Sequence, residues 1–173
     1  MPDLFSQRLS DHYDGARAEV RNFIAAIPCQ NIETHGSVGY VASRTTDRLV
    51  LGVPSLNAEP IDRHTANNGD VAVYVHKVKN GSSLIYKPNP KNTGGWPHSI
   101  ALDGDRIEIS LRYEGNPGPR ERHANIIERL NADILTLANE IQRKNAELLA
   151  TIEPELAKRK AQCAEISRRE SEL

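Results

Sequence analysis

The chain has 173 residues, 38% of them hydrophobic but only 5% aromatic, so any core must be built from Leu, Ile, Val and Ala rather than from large rings. Its 22 Lys and Arg balance 23 Asp and Glu, which excludes a global field that would gather nucleic acid or an anionic membrane surface. A single domain, or a compact body with an extended element, is expected at this length, and no run approaches the ~20 apolar residues of a membrane span.

The N-terminal stretch MPDLFSQRLSDHYDGAR has no apolar run of the secretory kind, and two cysteines, Cys29 and Cys163, stand far apart. The expectation is a cytoplasmic chain with free thiols. Over residues 1–30, Phe5, Leu9, Ala16, Val20, Phe23 and Ile27 fall on one helical stripe. Asp14-Gly15 weakens that helix, since glycine there costs ~1 kcal/mol against alanine, and Pro28 ends it.

A β-rich body is expected over 37–114, with about six short strands near 37–43, 47–53, 71–79, 82–87, 98–102 and 106–113. Asn80-Gly81 between VAVYVHKVK and SSLIYK is the signal for a two-residue type I′ hairpin, which would set Lys79 opposite Ser82 and Lys77 opposite Leu84. Gly69-Asp70 and Gly104-Asp105 both precede valine- or isoleucine-rich runs and read as turns.

Asn116-Pro117-Gly118-Pro119 can continue neither strand nor helix, and no glycine follows it. It therefore marks an element boundary. Beyond it the chain reads as a long coiled-coil-grade helix over 119–173, with Ile127, Leu130, Ile134, Leu137, Ile141, Leu148, Ile152, Leu156, Cys163 and Ile166 on its seam. Polar Lys144 and Asn145 interrupt the seam at a place where a polar residue can fix register. Pro154 demands a kink or tight break, with Thr151 available as a cap for a second helix. The N-terminal helix matches the first ~45 Å of this one in length, so the two are expected to pair as a stalk, which an antiparallel arrangement would allow, with the orientation itself left open. The section after Pro154 would then need a second chain, the main ground for expecting a homo-oligomer or a protein partner. The chain ends in a charged helical run with no stop signal, as a piece of a longer protein would.

Chemistry-bearing groups are sparse. Val71–Leu102 contains no acid but holds Lys77, Lys79, Lys87 and Lys91. With Tyr86 and Trp96 these are the candidates for binding single-stranded nucleic acid or another polyanion, although lysines on a hairpin also keep an edge strand from pairing. Asp62, His64, Asp70 and His76 contain the side-chain types of metal and phosphodiester chemistry, without the spacing of a metal site. Ser55 is a candidate nucleophile with Lys77 or Lys79 as its base. The run Ser55 to Ile61, followed by Gly69-Asp70 and a valine-rich strand, resembles the serine–lysine region of the repressor-cleaving and signal-peptidase group. It departs from that pattern in having no Met after the serine and four residues between Ser55 and Pro60.

No phosphate loop or dinucleotide motif occurs, and no catalytic residue, metal or cofactor is assigned. These observations predict an α+β protein, a small antiparallel β body flanked by helices. Its expected role is that of a non-catalytic oligomeric binding or assembly module, with polyanion binding and hydrolysis as alternatives.

Overall fold

The structure, a computed structural model, describes residues 7–87, 100–114 and 116–172. In chain order its elements are β1 (Gln7–Arg8), α1 (Leu9–Ala25), α2 (Ile32–His35), α3 (Val38–Leu49), β2 (Ser55–Leu56), β3 (Asp62–Ala66), β4 (Val71–Lys79), β5 (Tyr86–Lys87), β6 (Ile100–Asp103), β7 (Arg106–Arg112), α4 (Pro119–Ala150) and α5 (Ile152–Ser171). The fold is α+β, as expected. Two compact units share the chain, one of Met1–Leu9 with Gly52–Gln142, the other of Ser10–Leu51 with Arg143–Leu173. No helix among the described residues is long and apolar enough to cross a membrane.

The first unit is organised by β4. It pairs antiparallel with β7 along one side and with β3 and β2 along the other, and β6 extends the sheet beyond β7. Alternation assigns Ala72, Tyr74, His76 and Val78 to one face, where the register adds Ile107, Ile109 and Leu111. Most of these are buried, and they form the sheet's share of the core. Both Gly-Asp pairs are turns. Gly104 takes φ +58° as the first of two residues between Asp103 and Arg106, where a two-residue hairpin of this kind places glycine. Asn67, Asn68 and Gly69 all take positive φ between β3 and β4, a conformation that Asn and Gly tolerate best.

The Asn80-Gly81 hairpin does not form. Asn80 is left-handed, and Gly81–Ile85 wind into a 3-10 turn leading to β5, which runs parallel to β1. Lys79 therefore faces Ser55, and Lys77 faces Arg106. Tertiary contacts outweigh the local signal here. A Cβ on Gly81 would come within 2.6 Å of the Gly104 carbonyl oxygen, the Ser83 hydroxyl donates to the Gly52 carbonyl at 2.6 Å, and Leu84 is fully buried. Strand β3 is not among the strands expected from the sequence; its residues are mostly exposed and polar, so hydropathy alone does not reveal it.

The strand expected at 37–43 and the first residues of the one expected at 47–53 are replaced by α3, and residues 50–53 join neither helix nor strand. Ser37 accepts from the Tyr40 backbone N–H as a cap, and Val41 with Thr45 forms the buried stripe of the helix. The β-branched residues imitate a strand, but inward positions four apart follow the helical period.

Helix α1 buries Leu9, Tyr13, Ala16, Val20 and Ile24, with Ile27 just beyond; of the expected stripe, Phe23 is only half-buried and Phe5 lies outside the described residues. Gly15 sits within the helix without crowding. The Tyr13 hydroxyl donates to Asn145, Arg21 pairs with Glu155, Arg159 donates to the Ile27 carbonyl and Cys29 bonds to Cys163, at separations of 132, 134, 132 and 134 residues. A constant offset means parallel helices, since both advance at the same rise. The antiparallel stalk that the helix lengths would allow is not what forms, and the reason is topological: a short loop enforces antiparallel neighbours, whereas the whole of the other unit connects these two segments.

The cysteines are not free thiols either, being joined with a Cα–Cα distance of 5.2 Å. The helix breaks at Thr151, whose hydroxyl donates back to the Leu148 carbonyl, and Pro154 falls in the first turn of α5.

Seam residues Ile127, Leu130, Ile134, Leu137 and Ile141 are buried in the first unit, and Leu148, Ile152, Leu156 and Cys163 in the second. Only Ile166 of the ten stays exposed, at 43%. The ground for a second chain after Pro154 is thus removed, because α5 packs within its own chain.

Candidate functional site

Tyr74 and His76 stand two residues apart on β4 and so share the covered face. Helix α4 opens with Pro119 in its first turn, where the missing N–H is harmless. Arg122 pins that end by donating to the backbone carbonyls of Arg112 and Glu114. One residue on, the His123 ring stacks on Tyr74 with centroids 3.9 Å apart and planes within 16°. Its Nε2 lies 2.8 Å from Nε2 of His76, which is fully buried.

The tautomers follow from the partners. Nδ1 of His76 lies 2.9 Å from the Asn57 carbonyl oxygen, which only accepts, so Nδ1 carries the proton and Nε2 offers a lone pair. His123 must then donate from Nε2, which leaves its Nδ1 as the lone pair open to a further proton. Burial lowers the His76 pKa, against the pull of the Asn57 hydrogen bond, with Arg63 lowering it further and Glu59 opposing. His123 is lowered to about 4, first by burial, then by His76 and Arg63. At neutral pH both rings are uncharged and linked by one N–H···N bond. A general base works best with a pKa near the working pH, so this pair is poorly suited to proton abstraction and well suited to joining β4 to α4. Among the described residues no three His, Cys, Asp or Glu side chains cluster to hold a metal.

The Asp/His candidates do not converge. His64 faces Val73 across the sheet, hydrogen-bonds Asp62 at 3.0 Å and lies on the face opposite His76, while Asp70 belongs to the turn before β4. Ser55 and Lys79 are direct cross-strand partners, but both are exposed, and a lysine base needs a desolvated site to be neutral. Of the polyanion candidates, Lys77 and Lys79 are exposed on the uncovered face, joined there by Arg106. Lys87 is described only as a β5 backbone position, Lys91 and Trp96 lie outside the described residues, and Tyr86 is buried, its hydroxyl pKa pushed up by that burial. Tyr86 cannot serve as an exposed stacking platform.

That second face also carries an open groove of about 650 Å³ whose lining includes Val71, Val73, His64, Glu108, Arg112 and Arg122. Arg122 has its Nε buried without a hydrogen-bond partner. Neither His123 nor this groove carries a motif or spacing that would single it out in the sequence. His123 had a faint signal, a histidine early in a helix that starts at a proline, but nothing local says which strand it will meet. No family model, curated protein or solved structure matches this chain.

Proposed function

We propose that the chain is a non-catalytic binding module whose β unit takes a partner on the uncovered face of its sheet. The observation carrying this is the division of labour between the faces. One is occupied by Ile107, Ile109, Leu111 and the Tyr74–His76–His123 cluster, whereas the other keeps a groove with a half-exposed Val71 beside the buried Val73 and charged walls at Glu108 and Arg112. A partly apolar groove with oriented polar walls suits an extended peptide carrying an apolar side chain and flanking charges of both signs. Titrating a panel of such peptides into labelled protein should shift the amide resonances of Val71, Val73 and Ser110, and Ser110→Arg should abolish the shifts. Shifts confined to other surfaces, or none at millimolar peptide, would refute the reading.

A specific observation favours polyanion binding as a second reading. Lys77 and Lys79 stand exposed on the same face of β4, and whereas Arg106 opposite Lys77 is already met by Asp103 and Asp105, the two lysines are left to offer contacts to phosphate groups. Binding of an oligothymidylate should weaken steeply with salt and be lost in Lys77→Glu with Lys79→Glu. Binding insensitive to either change would remove this reading.

A further inference from the structure

Helix α5 is held unevenly along its length. Its buried residues are Ile152, Leu156 and Cys163, so beyond Leu156 the one residue that reaches the core is a half-cystine. Arg159 adds hydrogen bonds from Nε and Nη2 to the Ile27 carbonyl. Further on, the side-chain bonds run within the helix itself, from Arg168 and Arg169 to Glu165 and from Arg168 to Glu172. Exposed pairs of this kind add little to docking. The other half of the bond, Cys29, stands in the 3-10 turn Cys29–Asn31 just past α1, and it is half-buried while Cys163 is 4% exposed.

We propose that the Cys29–Cys163 disulfide is a redox-operated latch on the C-terminal half of α5, opened by a dithiol reductant that enters at Cys29. A reductant thiolate attacks the accessible Cys29 Sγ; the sulfur–sulfur bond breaks, and its electron pair leaves on Cys163 Sγ, which takes up a proton. The second reductant thiolate then attacks the mixed disulfide. This releases Cys29 as a thiolate that is protonated in turn, and the reductant departs as its own disulfide, two electrons and two protons having passed to the protein. With the bond open, the described residues after Leu156 lose their covalent tie, are held mainly by the Arg159 hydrogen bonds and the buried Cys163 thiol, and fray, while Ile152 and Leu156 keep the first turns docked. The turn at Cys29–Asn31 loosens with them.

Hydrogen–deuterium exchange read by mass spectrometry, on the full chain with and without dithiothreitol, tests the latch. Amides of residues 158–171 and 28–35 should exchange at least tenfold faster after reduction, with β4 and β7 unchanged. Cys29→Ser should reproduce the reduced pattern without reductant, and limiting dithiothreitol followed by trapping should place the first adduct on Cys29. Unchanged exchange in the reduced protein would overturn the proposal, as would equal loss of protection in β4 and β7. Two free thiols in the unreduced protein would overturn it as well.

Discussion

Acidification should loosen the link between β4 and α4, since both rings resist protonation when folded, and the share of His123 can be followed by itself. His123 titrates at about 4 when folded, against an ordinary value of 6.5. The unfolded chain therefore takes up a proton first as pH falls, so this part of the stability is complete above about 6.5. It is lost as pH drops from there toward 4 and flat below. The full interval corresponds to about 3 kcal/mol, and because the ring is partly exposed about 2 kcal/mol is the working figure.

The variant His123→Phe keeps a ring on Tyr74 but leaves the His76 Nε2 lone pair without its donor. It should be about 1–3 kcal/mol less stable at pH 7 and should lack about 2 kcal/mol of the wild-type loss between pH 7 and 4.5. Urea melts of both proteins across that range isolate the difference, since carboxylates shared by the two cancel. Imidazole resonances followed by NMR give an independent check, with His123 expected to stay neutral down to pH 5. Equal pH slopes in the two proteins, or a His123 midpoint near 6.5, would refute the reasoning.

Three packing predictions accompany it. Asn145 accepts from the buried Tyr13 hydroxyl and the Leu51 backbone N–H, and donates to the Leu51 carbonyl. Asn145→Leu strands the Leu51 N–H and carbonyl and removes the acceptor that Asn145 offers the Tyr13 hydroxyl, and it should lower unfolding stability by roughly 1–3 kcal/mol in urea melts. Ile152→Glu places a charge in the core of the second unit and should cost more than about 3 kcal/mol. Ile166→Glu, on an exposed seam position, should stay within about 0.5 kcal/mol; similar losses at both positions would contradict the in-chain packing of the seam. Gly81→Ala drives a Cβ to 2.6 Å from the Gly104 carbonyl oxygen and should cost about 1–3 kcal/mol by thermal melt.

What the sequence determined by itself is whatever short-range periodicity and backbone chemistry control. The three-and-four spacing from Ile127 to Leu148 specifies the long helix, and the Asn116 to Pro119 cluster specifies where it can start. The valine alternation of β4 and the turns at Gly69 and Gly104 are legible for the same reason, being settled within a few residues. Tertiary structure decided the rest. Val38–Leu49 has β-forming composition yet becomes a helix because Val41 and Thr45 find a core to enter. Asn80-Gly81 has the residues of a hairpin yet yields to the contact of Gly81 with Gly104. The seam foretold burial without saying against what, and α1 covers part of it in parallel, a direction that no local feature encodes. The two pairs that matter most for behaviour, His76 with His123 and Cys29 with Cys163, lie 47 and 134 residues apart. Their meeting depends on how distant elements pack, and periodicity carries no information about that.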